Sequence, residues 1–220
     1  MSKGSKVLAD YLYYHEDGPP SISIYCGDCL DILPLLPKVD LVVTDPPYGV
    51  NLAYEQYQDT EANWFALMDK FIPLVRSKST MSIMPSCQIK RLDWIYKNHA
   101  PDWLLCWYKG SPGHVGYMGF NDWEPHLVYG KNSTTVHDYF HATPEPQTNG
   151  HPCQKPLKWA KWQVWKCSEE GHLVCDPFLG SGTVAVVAKD LKRNFIGIEL
   201  SDKYCEIAKV RLKNTIVPFL

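Results

Sequence analysis

Long apolar runs are missing from this chain. No stretch of its 220 residues approaches transmembrane length, which excludes a spanning helix and gives no reason to expect a membrane partner. An excess of positive charge is missing as well. The net charge is -2, so no global field draws in a polyanion, and a nucleic-acid partner would need a local basic face. Residues 1–20 are polar and tyrosine-rich, without the apolar segment of a secretory leader. Metal-ligand spacing is thin. Cys26-Gly27-Asp28-Cys29 has C-x-x-C spacing, but no second such pair completes a zinc site, and the 8 His are scattered. Eight cysteines without a leader read as reduced, buried thiols of a cytosolic protein, and no metal is expected.

What is present is a globular balance, 45% hydrophobic and 21% charged, with a high content of Trp and Tyr that implies thick aromatic packing. The length suits one large domain or a core with a small insertion. Strands are predicted over 22–26, 41–44, 80–84, 103–108, 125–129, 172–175 and 194–198. Helices are predicted over 64–76, 157–167, 183–192 and 202–213. Trp159, Trp162 and Trp165 recur every three residues and read as packing rather than as a binding stripe. This alternation implies an α/β fold, a mostly parallel sheet with helices on both faces. Residues 49–63, 110–122 and 131–151 read as long loops, a length usually reserved for function or disorder.

Two turns carry chemistry. Asp45-Pro46-Pro47-Tyr48 follows the apolar run 39–44, so a carboxylate sits at the carboxyl end of a strand, where open α/β sheets bind ligands. The prolines stiffen the turn and offer no N–H, leaving the carbonyls of Asp45 and Pro46 as acceptors beside an aromatic face. Such a cluster suits a planar amino group, for example the exocyclic amine of a nucleobase. The second turn, Asp176-Pro177-Phe178-Leu179-Gly180-Ser181-Gly182-Thr183, joins a strand to a helix, so its glycines and the helix N-terminus can approach a ligand. Glu199 ends the next strand, where a carboxylate can accept both hydroxyls of a ribose. NAD fits less well than S-adenosylmethionine: Asp176 would repel a pyrophosphate but attract an ammonium group. No Lys follows the glycines as a Walker A loop requires.

These residues resemble the amino-group (N6-adenine and N4-cytosine) DNA methyltransferases. Asp45-Pro46-Pro47-Tyr48 looks like their catalytic motif, the turn at 176–183 like their cofactor motif, and His151-Pro152-Cys153-Gln154-Lys155-Pro156 like a third motif. The order, catalytic motif first, is similar to that of the circularly permuted β group. The resemblance implies a single Rossmann-like methyltransferase domain over 1–220, with a seven-stranded sheet and termini close together. It implies that Asp45 and the Pro46 carbonyl, with Pro47 shaping the turn, hold the target amine while Tyr48 stacks on the base. Asp176 would meet the methionine ammonium of S-adenosylmethionine. Phe178, Gly180, Ser181, Gly182 and Thr183 would line the cofactor, Glu199 would hold its ribose, Asp28 its adenine and Lys155 its carboxylate.

The implied partner is DNA, with the base flipped out of the duplex and Tyr54 or Tyr57 a candidate to fill the gap. Target reading falls to small loops at about 110–122 and 131–150, with Lys109, His114, Lys131 and Lys155 as candidate phosphate contacts. That implies a short site, relaxed specificity, or a second subunit, which leaves a homodimer and a cognate restriction enzyme open as further partners. The acid that opens the catalytic motif points to adenine N6, with cytosine N4 as the alternative. A methyltransferase acting on RNA or a protein amide, or an inactive nucleic-acid-binding relative, is the rival class. Pro152-Cys153-Gln154 matches the nucleophile tripeptide of cytosine-C5 methyltransferases, but Asp45 holds the strand end that this chemistry needs. The expected location is the cytoplasm of a bacterial or phage-infected cell.

Overall fold

The structure, a computed structural model, describes residues 6–86, 88–110, 115–116, 119–131, 136–144 and 155–215. In chain order the strands and helices are β1 (Leu12–Glu16), β2 (Ile22–Cys26), α1 (Cys29–Ile32), β3 (Val39–Val43), α2 (Glu61–Lys78) and β4 (Ser79–Pro85). Then follow α3 (Leu92–His99), β5 (Trp103–Tyr108), β6 (Val115–Gly116), β7 (Gly119–Phe120), β8 (Trp123–Gly130) and β9 (Tyr139–His141). The last are α4 (Leu157–Cys167), β10 (Leu173–Asp176), α5 (Thr183–Asp190), β11 (Asn194–Glu199) and α6 (Asp202–Lys213). No described helix is long and apolar enough to cross a membrane.

Among the described residues the main sheet has nine strands in the order β1-β2-β11-β10-β3-β4-β8-β5-β9, where seven were expected. The two extra strands lie at the edges. β1 is an amphipathic, tyrosine-rich strand paired antiparallel with β2. β9 has only three residues, too few for alternation to register. From β2 to β4 every pair is parallel, and the sheet turns antiparallel at β8. Parallel strands buried on both faces read as continuous apolar runs, as Leu41-Val42-Val43 does, each fully buried. Leu41 and Val43 face one core with α4, α5 and α6, and Val42 faces the other with α1, α2 and α3.

The connections place the site. β3 runs through α2 to β4 on one side, whereas β10 runs through α5 to β11 on the other. The border between β3 and β10, paired in parallel through Leu41–Val174 and Val42–Cys175, is therefore a topological switch point. There the strand ends open a crevice, and the two turns leave from adjacent strands. β2 lies beside β11 with α6 packed across both, so the strand holding Ile22 follows the last helix in space.

Helix α2 starts on Thr60, whose hydroxyl accepts from Asn63 N at 3.2 Å, and buries Trp64, Met68, Phe71, Ile72 and Val75 along one stripe. On α4, Trp159 is buried and Trp162 packs against the core, but Trp165 is 56% exposed. Spacing of three slips about 60° per step against the helical turn, so the third Trp has left the packed face.

Candidate active site

The turn after β3 is held by side chains from distant elements. Thr44 Oγ1 donates to Asp176 Oδ1 at 2.6 Å, tying the two strand ends together. Lys155 Nζ pairs with Asp45 Oδ2 at 2.7 Å and donates to the Tyr48 hydroxyl at 3.0 Å. Tyr48 in turn donates to Glu124 Oε1 at 2.6 Å. Asp45 Oδ1 is buried and accepts no hydrogen bond among the described residues. Behind the turn, the buried Asp59 carboxylate accepts from Gly49 N, Val50 N and Leu52 N at 2.6, 3.0 and 3.1 Å. The buried Arg91 donates to the carbonyls of Tyr48 and Gly49 and lies over the Trp64 ring. The start of the predicted loop 49–63 is thus an ordered brace.

The turn after β10 closes largely on backbone groups. Glu199 Oε2 accepts from Gly180 N at 2.8 Å and its Oε1 from Ser201 N at 2.9 Å. Leu179 N reaches Ile198 O and Gly182 N reaches Leu179 O, both at 2.9 Å. Gly180 and Gly182 both take positive φ, 52° and 83°. At Gly182 a Cβ would also stand 2.8 Å from Ala208 Cβ, so the glycine lets α5 approach α6. Asp176 Oδ1 accepts from Thr44 and from Phe178 N at 3.1 Å, while its Oδ2 has no partner among the described residues. Burial pushes the Asp176 carboxyl up to about 7, against the pull of those two donors. Burial raises Glu199 as well, and three backbone hydrogen bonds oppose it.

A cavity of about 180 Å³ joins the turns. Of the sequence-predicted residues, Asp28, Asp45, Pro47, Lys155, Asp176, Phe178, Gly180, Ser181, Thr183 and Glu199 line it. Tyr48 reaches the site through Lys155, whereas Pro46 is buried in the turn and Gly182 in the α5–α6 contact. Asp28 caps α1, accepting from Leu30 N at 2.8 Å. Tyr54 and Tyr57, offered as gap-fillers for a duplex, line this same cavity. Lys155 Nζ stands on Asp45 and Tyr48, while its carbonyl accepts from Thr183 Oγ1 of the glycine turn at 3.4 Å. His114 and residues 151–154, including Cys153, lie outside the described residues, as do 111–113, 117–118, 132–135 and 145–150 of the two expected target loops.

Sequence reasoning missed Glu124 and His126, both on β8. Burial drives the Glu124 carboxyl above its ordinary range, chiefly against the lowering effect of Lys155. His126 is fully buried, and desolvation followed by Lys155 pushes its pKa down to about 3, so the ring is neutral. Trp159 Nε1 donates to His126 Nε2 at 2.8 Å, which puts the ring proton on Nδ1. The cysteine pair divides: Cys26 donates to Asp202 Oδ1 at 2.8 Å, and Cys29 is buried in the core. His137 and His141 stand four residues apart, but β9 is extended there, so they share no helix face. No group of His, Cys, Asp or Glu among the described residues is arranged to hold a metal ion.

The DNA methylase family model, that of N6 and N4 enzymes, matches residues 120–210, the stretch that carries Glu124, Lys155 and the glycine turn. Over that stretch, less than half of the chain, the protein is similar to the DNA amino-methyltransferases. Among methyltransferase relatives, the Type II methyltransferase M.HpaI of Haemophilus parainfluenzae is 26% identical over 86% of this chain and 73% of its own length. Among solved methyltransferases, the M1.HpyAVI–SAM complex superimposes with TM-score 0.64 at 25% identity, over 87% of this chain and 98% of that one. The cytosine-N4-specific PvuII DNA methyltransferase shares the fold, with TM-score 0.66 at 17% identity over 86% of each chain.

Proposed function

We propose that the protein transfers the methyl group of S-adenosylmethionine to the exocyclic N6 amine of a flipped-out adenine in DNA. One observation carries this reading: Asp45, Asp176 and Glu199 line a single cavity at the switch point. The residues fit the cofactor. Asp176 lines that cavity, its Oδ2 has no hydrogen-bond partner among the described residues, and its carboxylate suits an ammonium group. Glu199 keeps lone pairs for ribose hydroxyls beyond its backbone donors.

When bound, the cofactor supplies an electrophilic sulfonium methyl. Orientation of the amine then supplies much of the catalysis. Asp45 Oδ1, buried and without an acceptor role elsewhere in the described residues, takes one amine hydrogen. Lys155 holds the other carboxylate oxygen in place, and the Tyr48 ring offers its face to the base. A base inside a duplex cannot reach this crevice, so it is taken out of the stack.

Adenine is favoured by the acid that opens the catalytic turn. The likeness in fold to an N4-cytosine enzyme keeps cytosine N4 as the second reading. Incubation with labelled S-adenosylmethionine and unmethylated DNA, followed by mass spectrometry of the nucleosides, tests both. N6-methyladenine is the expected product. N4-methylcytosine would replace the base assignment, and neither product with cofactor bound would overturn the activity.

A further inference from the structure

The four polar groups at the amine end form one chain: Asp45 to Lys155 at 2.7 Å, Lys155 to the Tyr48 hydroxyl at 3.0 Å, and that hydroxyl to Glu124 at 2.6 Å. The Tyr48 hydroxyl both accepts and donates, so two groups fix the polar edge of the ring. Both groups assigned to the base, the Asp45 carboxylate and the Tyr48 ring, therefore hang from one ammonium, which also lies 4.9 Å from that ring's centroid. Glu124 is the far end of the chain and lies on β8, two strands away from β3. Its backbone is paired with Trp107 of β5, and the ladder to β4 starts two residues on at His126, which makes it a strand-held post rather than a mobile loop residue. Glu124 also lines a second cavity of about 210 Å³ with Gln88, Lys90, Asn121 and Trp123, so this half-buried acid is not filling a packed core.

We infer that Glu124 is a positioning residue for the methyl acceptor, fixing the Tyr48 ring through its hydroxyl and Lys155 through the same chain. The inference rests on the methyltransferase reading. Glu124 does not line the cofactor cavity, so its removal takes away one of the holds on the Tyr48 hydroxyl and loosens its chain to Lys155 without disturbing Asp176 or Glu199. A misplacement on this scale costs on the order of 10²-fold in rate.

The test uses a cycle of four proteins, wild type, Glu124→Ala, Tyr48→Phe and the double variant, and a fifth, Glu124→Gln, as the conservative control. With unmethylated DNA and labelled S-adenosylmethionine, Glu124→Ala is expected to lower turnover on the order of 10²-fold. Cofactor affinity should hold, and Glu124→Gln, which keeps an acceptor for Tyr48, should recover most of the rate. In the Tyr48→Phe background the same Ala substitution should cost little more, because the hydroxyl it served is gone. A duplex carrying 2-aminopurine at the methylated position should fluoresce more strongly with Glu124→Ala than with wild type, as stacking on Tyr48 weakens. Wild-type turnover in Glu124→Ala, an equal loss in both backgrounds, or a loss confined to cofactor affinity overturns the positioning role. If the wild-type protein methylates no DNA, the functional reading falls instead. The Glu124–Tyr48 coupling is then still read from the melting temperatures of the same four proteins.

Discussion

The two turns at the switch point lie on adjacent strands, yet they are held in opposite ways. The turn at 176–183 is closed by its own and its neighbour strand's backbone, with Glu199 taking two N–H groups from residues near it in the chain or in the sheet. The turn at 45–48 is stiff by virtue of its prolines, but its functional side chains are aimed by groups more than 70 residues away, Glu124 and Lys155. The first is a shape specified by glycines and the second an alignment specified by tertiary packing. Damage to the first should therefore show as lost stability and cofactor affinity, and damage to the second as lost turnover in a folded protein.

The largest separation is expected from Asp45→Ala. It removes the acceptor for the amine and strands Lys155 beside Tyr48 and Glu124, so methyl transfer should fall by on the order of 10²-fold or more. Cofactor affinity, measured by calorimetry, should stay within roughly threefold, because Asp176 and Glu199 keep their partners. An equal loss of binding would show that the turns are one unit. Gly182→Ala attacks the other side. A residue at φ 83°, with Cβ 2.8 Å from that of Ala208, must strain the backbone or push α6 away. The expected cost is about 1–3 kcal/mol, seen as a melting point lower by roughly 2–4 °C per kcal/mol. An unchanged melting point would mean that α5 and α6 adapt freely and that the backbone-held turn is softer than its glycines imply.

The same contrast governs what could be read from sequence. The placement of Asp45, Asp176, Gly180 and Glu199 around one cavity was legible because it follows from local position: an acid at a strand end, a glycine before a helix. The parallel core was legible because double burial leaves unbroken apolar runs such as Leu41-Val42-Val43. Glu124 was not, since its partner is 76 residues away and an acid between Trp123 and Pro125 carries no local signal. Lys155 was recognised, but its pairing with Asp45 depends on how α4 is seated over β3. Strands β1 and β9 were missed because edge strands are short and need only one apolar face.

The smallest effect concerns pH, and it separates the two turns by charge. The Asp176 carboxyl stands at about 7 in the folded protein against an ordinary 3.8. Between those values the folded state holds a proton that the unfolded chain has released. The stability contributed by this buried, protonated acid is therefore full below the ordinary value and is lost as pH rises through about 7. Glu199 is raised for the same reason, so it adds a slope of the same sign. Denaturation midpoints should then drift downward as pH rises from about 5 to 8, and Asp176→Asn should remove part of that drift but not all of it. Cofactor binding should run the other way. A cationic group favours the ionised carboxylate, so affinity should weaken below about pH 7, by at most roughly tenfold per unit, with a proton released on binding. Calorimetry in buffers of different ionisation enthalpy reads that proton directly. If Asp176→Asn leaves the proton release intact, the titrating group lies elsewhere, and Glu199 becomes the acid that the cofactor discharges.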